Sequence, residues 1–363
     1  MTLQSNDVAR HRRVAIWLFS VCALVFCMVV LGGFTRLTGS GLSMTDWRPV
    51  TGVLPPLSAE AWAEEFARYQ ASPEFAKVNS HMDVEAFKGI FWLEYLHRLL
   101  GRLIGLAFFV PFVVFAIRGD IRVREYPRYI VMFVLGGMQG LLGWYMVKSG
   151  LVDVPHVSQY RLTAHLSMAF LVYSFMFWVA LSLWFHADTP GRHPWFGRTA
   201  GLTALIATTI LSGGFVAGLK AGKIYNTFPL MGDSLVPDGL FALSPVARNF
   251  FENATTAQFD HRLLALTTFS LVLVYWWRSR QALLPRRAAR AATALVHTAT
   301  LQVLLGVTTL LMAVPVLLGA LHQAVAMLLL TSALFLTHSL SRLPAEAAVP
   351  ADGALPGGEP RHA

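Results

Sequence analysis

Glu94-Tyr95-Leu96-His97-Arg98-Leu99-Leu100-Gly101-Arg102 places a carboxylate, an imidazole and two guanidiniums at the mouth of a long apolar run. An ionisable side chain inside a membrane segment costs about 2.5–3.5 kcal/mol on insertion scales, so such a cluster marks a functional site by default. The pattern returns in Gln258-Phe259-Asp260-His261-Arg262-Leu263-Leu264-Ala265-Leu266. That echo governs the reading of the whole chain.

Around these stretches the chain of 363 residues is 55% hydrophobic and only 13% charged, with a mean hydropathy of +0.54. Soluble domains carry about 25% charged residues, so the composition specifies an integral membrane protein surrounded by lipid. The formal net charge of +9 lies mainly in short loops between apolar runs, where basic residues set topology. No compact basic patch with interleaved aromatics is present, which excludes nucleic acid as a partner. Cys22 and Cys27 both fall in the first apolar run and point to different faces of one helix, so they are packing residues. Arg10, Arg12 and Arg13 precede a run too long for a signal-peptide core and without a small-residue cleavage site, which predicts a retained first helix.

A helix needs about 20 apolar residues to cross the hydrocarbon core. Eight runs qualify: 14–36, 94–117, 127–148, 161–185, 199–219, 258–279, 289–312 and 318–340, the last two joined by a tight turn at Pro315. Arginines concentrate before the first run and around 118–128, 192–198 and 278–290. The positive-inside rule puts these connections, the N-terminal residues 1–13, the linker 186–198 and the C-terminus in the cytoplasm. The long connections 37–93 and 220–257 then lie outside. Within the first, Trp62, Phe66 and Tyr69 recur at helical spacing, predicting a short amphipathic helix over 59–69 on the membrane surface. Residues 341–363, rich in Ala, Pro and Gly and without periodicity, read as a disordered tail.

Four correspondences show an internal repeat. Gly32-Gly33-Phe34 is answered by Gly213-Gly214-Phe215, His97-Arg98-Leu99-Leu100 by His261-Arg262-Leu263-Leu264, Gln139-Gly140-Leu141-Leu142-Gly143 by Gln302-Val303-Leu304-Leu305-Gly306, and His165 by His322. Four spans per half give both halves the same orientation. The expected fold is all-α, with eight transmembrane helices forming two pseudo-symmetric four-helix bundles, 14–185 and 199–340, related by an axis along the membrane normal.

His97, His165, His261 and His322 all fall within roughly one turn of the outer ends of their predicted spans. One such histidine is ordinarily a polar group bonded to a neighbouring helix. Four at one depth, paired within each repeat, predict ligands. Structural zinc sites favour four close donors, often thiolates, and none are available here. Two imidazoles facing each other across a bundle with Gly-rich helices suit axial ligation of haem iron, one haem per half. Arg98, Arg161 and Arg262 are candidates to pair with haem propionates, against simple snorkelling to the interface. Gln139 and Gln302 read as interhelical hydrogen-bond partners, with contact to the cofactor pocket as the alternative. Trp17, Trp92, Trp144, Trp184, Trp276 and Trp277 read as interfacial anchors.

From Val14 to Ser341 the chain resembles the haem A synthase family. The resemblance is carried by Gly32-Gly33-Phe34-Thr35-Arg36-Leu37-Thr38-Gly39-Ser40-Gly41-Leu42-Ser43-Met44, the Glu94–Arg102 stretch, His165, Asp260-His261-Arg262 and Leu321-His322-Gln323. It implies an oxidoreductase that turns the C8 methyl of haem O into the formyl of haem A by successive hydroxylations. It also implies that His97 and His165 bind the substrate haem, that His261 and His322 hold a permanent haem b, and that Glu94 is catalytic. Haem O synthase as substrate donor and terminal oxidase assembly factors as recipients are the implied partners, and a homo-oligomer is compatible. Glu94 and His97 share a helix face, whereas the matching position before His261 is Gln258, so only the first half keeps an ionisable group there. A carboxylate there could accept protons or stabilise a developing cation; a structural ion pair with Arg98 is the competing reading.

Many family members carry a cysteine pair in the first outer loop, and 37–93 has none, which places the chain with the cysteine-poor proteobacterial and mitochondrial group. With no transit peptide before the first span, a bacterial inner membrane is expected. A di-haem cytochrome b-type carrier and a haem transporter are the rival functions. The placement of all four histidines near one face argues against a carrier that moves electrons across the membrane.

Overall fold

The computed structural model describes residues 2–46, 52–150, 157–186 and 188–343. Eight long helices dominate: α1 (Thr2–Leu37), α3 (Val84–Ile117), α4 (Tyr126–Gly150), α5 (Gln159–Trp184), α6 (Phe196–Gly218), α8 (Ala254–Ser279), α9 (Arg286–Leu311) and α10 (Val316–Ser341). The short helices α2 (Ala59–Gln70) and α7 (Asn249–Glu252) lie in the two long connections. Among the described residues seven helices are long and apolar enough to cross a membrane, so the chain is a multi-pass membrane protein. The expectation was eight. The exception is α8, where Asp260-His261-Arg262 at one end and Tyr275-Trp276-Trp277 at the other dilute an apolar centre of ordinary span length.

Within the first half, α1 packs on α3 and α5, and α4 closes the ring by packing on α3 and α5. Within the second, α6 packs on α8 and α10, and α9 on α8 and α10. The halves meet through α1 against α10, α5 against α6 and α5 against α10. Their shared core includes Leu18, Val21, Met176, Met327 and Leu330. The hydroxyl pair of Tyr173 with Thr331 at 2.8 Å supplements it, and Thr203 with Thr337 and Thr209 with Thr268, also at 2.8 Å, tie helices within the second half. Gln323 Nε2 of α10 also donates to the Val29 carbonyl of α1 at 2.6 Å.

Local signals set the helix ends. The Asp83 and Asn253 side chains accept from the first turns of α3 and α8 at 2.8 and 2.9 Å. Pro315 opens α10 directly after Ala313 and Val314, both at positive φ, as the tight turn predicted at this proline requires. A β-branched residue at φ 63° is strained, and the hydrogen bond from Val314 N–H to the Thr309 carbonyl at 2.8 Å helps hold it.

Three expectations change. Helix α3 starts at Val84, ahead of the predicted 94, because Phe87, Phe91 and Tyr95 extend its apolar stripe. That stripe packs against Trp62, Phe66 and the fully buried Tyr69 of α2, so the amphipathic helix covers α3 with its apolar face. Trp17 is core, not an interfacial anchor: α1 begins earlier than the predicted span, and the indole donates to the Ala107 carbonyl at 2.8 Å. At the arginine-rich end, Arg13 pairs with Asp120 at 2.5 Å and Arg287 with Asp188 at 2.6 Å. The linker 186–198 is tied to the end of α10 by a two-residue antiparallel pairing of Thr189–Pro190 with Arg342–Leu343. Beyond 343, the expected tail lies outside the described residues.

Gly214 and Gly218 of α6 form a close approach between the halves. A Cβ at Gly218 would stand 2.5 Å from the Gln159 backbone of α5, and one at Gly214 would stand 3.0 Å from Thr163 Oγ1. This is small-xxx-small packing, in which missing side chains let two backbones meet. Gly218→Ala should destabilise the protein by about 1–3 kcal/mol. Gly105→Ala, with nothing within 4 Å of the added carbon, should leave it unchanged, and thermal unfolding of the purified variants compares the two.

Candidate functional site

The four histidines named from the sequence share one structural device. Each ring rests against a glycine of the preceding long helix. A Cβ at Gly32 of α1 would stand 3.4 Å from His97 Cε1 on α3, and one at Gly143 of α4 would stand 3.0 Å from His165 Cε1 on α5. In the second half the distances are 3.1 Å from Gly213 of α6 to His261 on α8, and 2.9 Å from Gly306 of α9 to His322 on α10. At Gly143, Gly213 and Gly306 an added Cβ would force the imidazole to give way. The glycines are themselves repeat partners, Gly32 with Gly213 and Gly143 with Gly306. His97 and His165 come from α3 and α5, and His261 and His322 from α8 and α10, the opposite helices of each four-helix ring.

The surroundings of each pair repeat in part. Gln139 Nε2 lies 3.5 Å from His165 Nε2, and Gln302 Nε2 lies 3.4 Å from His322 Nε2. The Oε1 atoms of both glutamines and the Nδ1 atoms of both histidines are buried without a hydrogen-bond partner. Ser212 Oγ lies within hydrogen-bond distance of His261 Nδ1 at 2.8 Å, which orients that ring and leaves Nε2 unengaged by it. The repeat position beside His97 is Leu31, so that ring has no such support. Among the described residues no group of three or more His, Cys, Asp or Glu side chains gathers as a metal site. Paired imidazoles, glycine seats that keep the helix surface flat and unsatisfied buried polar atoms fit a planar macrocycle whose metal takes one ligand from each side.

Glu94 and Arg98 form a latch rather than an open cluster. Glu94 is only 3% exposed, and its Oε1 accepts from Arg98 Nη2 at 2.5 Å and Nε at 3.0 Å. Its Oε2 accepts from Ser43 Oγ and Met44 N–H, both at 2.8 Å. Arg98 also donates to the Met44 carbonyl at 2.7 Å and the Asp46 carbonyl at 2.8 Å. The pair therefore pins the segment that follows α1 onto α3. In the second half, Arg262 donates to the carbonyls of Tyr225, Thr227 and Leu230 at 2.9, 2.9 and 3.1 Å, and Gln258 joins it on Tyr225 at 3.0 Å. The latch is thus duplicated, with an amide in place of the carboxylate. Arg161 stacks over the Tyr145 ring at 4.8 Å.

Residues 15–334 match the family described as cytochrome oxidase assembly protein, COX15-CtaA. The chain belongs to this family. It is 52% identical over 346 residues to "Heme A synthase" of Nitrosospira multiformis, covering 92% of this chain and 95% of that protein. It is 47% identical over 342 residues to "Heme A synthase COX15" of Arabidopsis thaliana, covering 91% of this chain and 75% of the relative. Identity to the human protein of the same name is 46% over 353 residues, covering 94% and 86% respectively.

Some parts of the site escaped sequence reading. Ser43, the Met44 N–H and Ser212 act through contacts between segments distant in sequence, for which no spacing rule exists. The seats at Gly143 and Gly306 were visible only as repeat matches, without the partner each one serves. His338, another buried histidine, packs at the far end of α10 against Trp178 and bonds Ser182 Oγ at 3.1 Å.

Glu74, in the connection between α2 and α3, is buried beside the latch. Burial raises its carboxyl to about 7; Lys220 at the start of the second long connection opposes the shift, and Glu94 adds to it. Because the folded protein holds that proton more tightly than the unfolded chain does, stability should fall as pH rises from about 4.5 to about 7. Glu74→Gln removes this term. Its melting temperature should equal that of the wild type near pH 4.5 and exceed it by roughly 2–4 °C at pH 8.

Proposed function

We propose that the chain is a haem A synthase that oxidises the C8 methyl of haem O to a formyl group, supplying haem A for cytochrome oxidase assembly. The observation that carries this is a duplicated histidine-on-glycine site in which the position three residues before the histidine is the carboxylate Glu94 in the first copy and the amide Gln258 in the second. In this reading eight helices cross the membrane as two four-helix bundles, supported by the matching packing of α1, α3, α4, α5 and of α6, α8, α9, α10. Substrate haem O lies between His97 and His165, and haem b between His261 and His322. Bound haem b supplies one-electron redox chemistry to the second half.

The protein's own residues orient and hold. Gly32, Gly143, Gly213 and Gly306 fix the rings, and Ser212 orients the His261 ring. The Arg98 and Arg262 latches close the two long connections over the sites and limit water entry. Glu94 lies one turn from His97 on the same helix and is held in place by four donor atoms. A carboxylate fixed there can stabilise positive charge developing at the reacting edge or accept a proton. The positive-inside arrangement puts both termini in the cytoplasm of a bacterial cell and the haem sites near the opposite face, where haem O synthase and oxidase assembly factors would exchange haem with them.

Glu94→Gln tests the assignment without dismantling the latch, because Gln258 already shows that an amide is tolerated at this position. Pigments extracted from purified protein and resolved by mass should show formyl or hydroxymethyl haem with a farnesyl tail in the wild type. In the variant both haem sites should remain loaded, with conversion reduced about 10²–10³-fold. Full conversion by the variant would assign Glu94 to the latch alone, and haem b as the sole pigment of the wild type would refute the function.

A further inference from the structure

Arg36 ends the first apolar run and has no role in the latch. It stands one turn beyond Gly32 on α1, on the face that seats the His97 ring. It is partly buried, and among the described residues no hydrogen bond, ion pair or ring contact engages its guanidinium. The neighbouring arginines differ: Arg98 is neutralised by Glu94 at 2.5 Å, and Arg161 stacks on Tyr145. The second half has Ala217 at the position of Arg36, and there Arg262 has no carboxylate beside it. A guanidinium taken from water without a counter-charge is costly, so its retention at a cofactor pocket calls for an anion. Because α1 is covered by α3, α5 and α10, the face carrying Gly32 and Arg36 turns toward the histidine pair and away from lipid.

We propose that Arg36 is a positioning residue that pairs with a propionate of haem O and thereby sets how the macrocycle lies between His97 and His165. The inference rests on the placement of haem O in the first half. Planar guanidinium and carboxylate groups match in a bidentate pair, which fixes rotation of the ring about its axis as well as depth. Rotation decides which methyl lies beside Glu94.

The test titrates haem O and its dimethyl ester, which lacks the propionate charges, into purified full-length protein made in cells without haem O. Wild-type protein should bind the free acid about 10–100-fold more tightly than the ester. Arg36→Gln should lose that preference, Arg36→Lys should recover part of it, and the pigment of the second half should stay unchanged, reporting an intact fold. A wild-type preference that persists in Arg36→Gln would overturn the proposal, as would equal binding of acid and ester by the wild type. A His97→Ala protein that still binds haem O normally would instead refute the first-half site itself.

Discussion

An imidazole inside a membrane helix is tolerated only where the structure gives it a defined partner, and here that partner begins with glycine. Three of the four rings, His165, His261 and His322, sit where a Cβ on the facing glycine would crowd them, and His97 lies in contact range of Gly32. This requirement fixes how closely α1 approaches α3, α4 approaches α5, α6 approaches α8 and α9 approaches α10. The four contacts give the two halves matching histidine–glycine pairs. The core toward the opposite end is aliphatic and aromatic, with Leu18, Val21, Met176 and Leu330 filling the space that the histidine sites leave open.

The arginine that follows each α3 and α8 histidine converts a charged cost into closure. Arg98 and Arg262 spend their donors on carbonyls of the long connections and bind these segments over the pockets. The difference between the copies lies one turn earlier, where Glu94 makes a charged latch and Gln258 a neutral one. Together with Arg36 against Ala217, and Ser212 against Leu31, this gives two copies of one scaffold distinct electrostatics. The first copy carries the Glu94–Arg98 pair and Arg36, and the second has Ser212 beside the His261 ring.

Glycine packing serves two ends in this fold. At the histidines it makes room for side chains, while at Gly214 and Gly218 it lets α5 and α6 approach until backbone meets backbone. Packing of this kind gains van der Waals contact where the hydrophobic effect between helices is absent, because lipid is as apolar as the helix surface. It joins the halves near the histidine sites.

Sequence alone determined the membrane class, the positions of the long helices, the repeat and the four histidines, because hydropathy, period and repetition are one-dimensional signals. It also showed that Glu94 has no counterpart in the second half. Tertiary structure decided what touches what. Arg98, read as a propionate partner, is engaged with Glu94 and with the Met44 and Asp46 carbonyls. The amphipathic helix 59–69 found its apolar partner in Phe87 and Phe91, and Trp17 lies in the core. Which glycine seats which ring, and that Arg36 has no partner among the described residues, depend on the rotation of packed helices about their axes. That rotation is set by side-chain volume across the interface, and the sequence of a single helix does not record it.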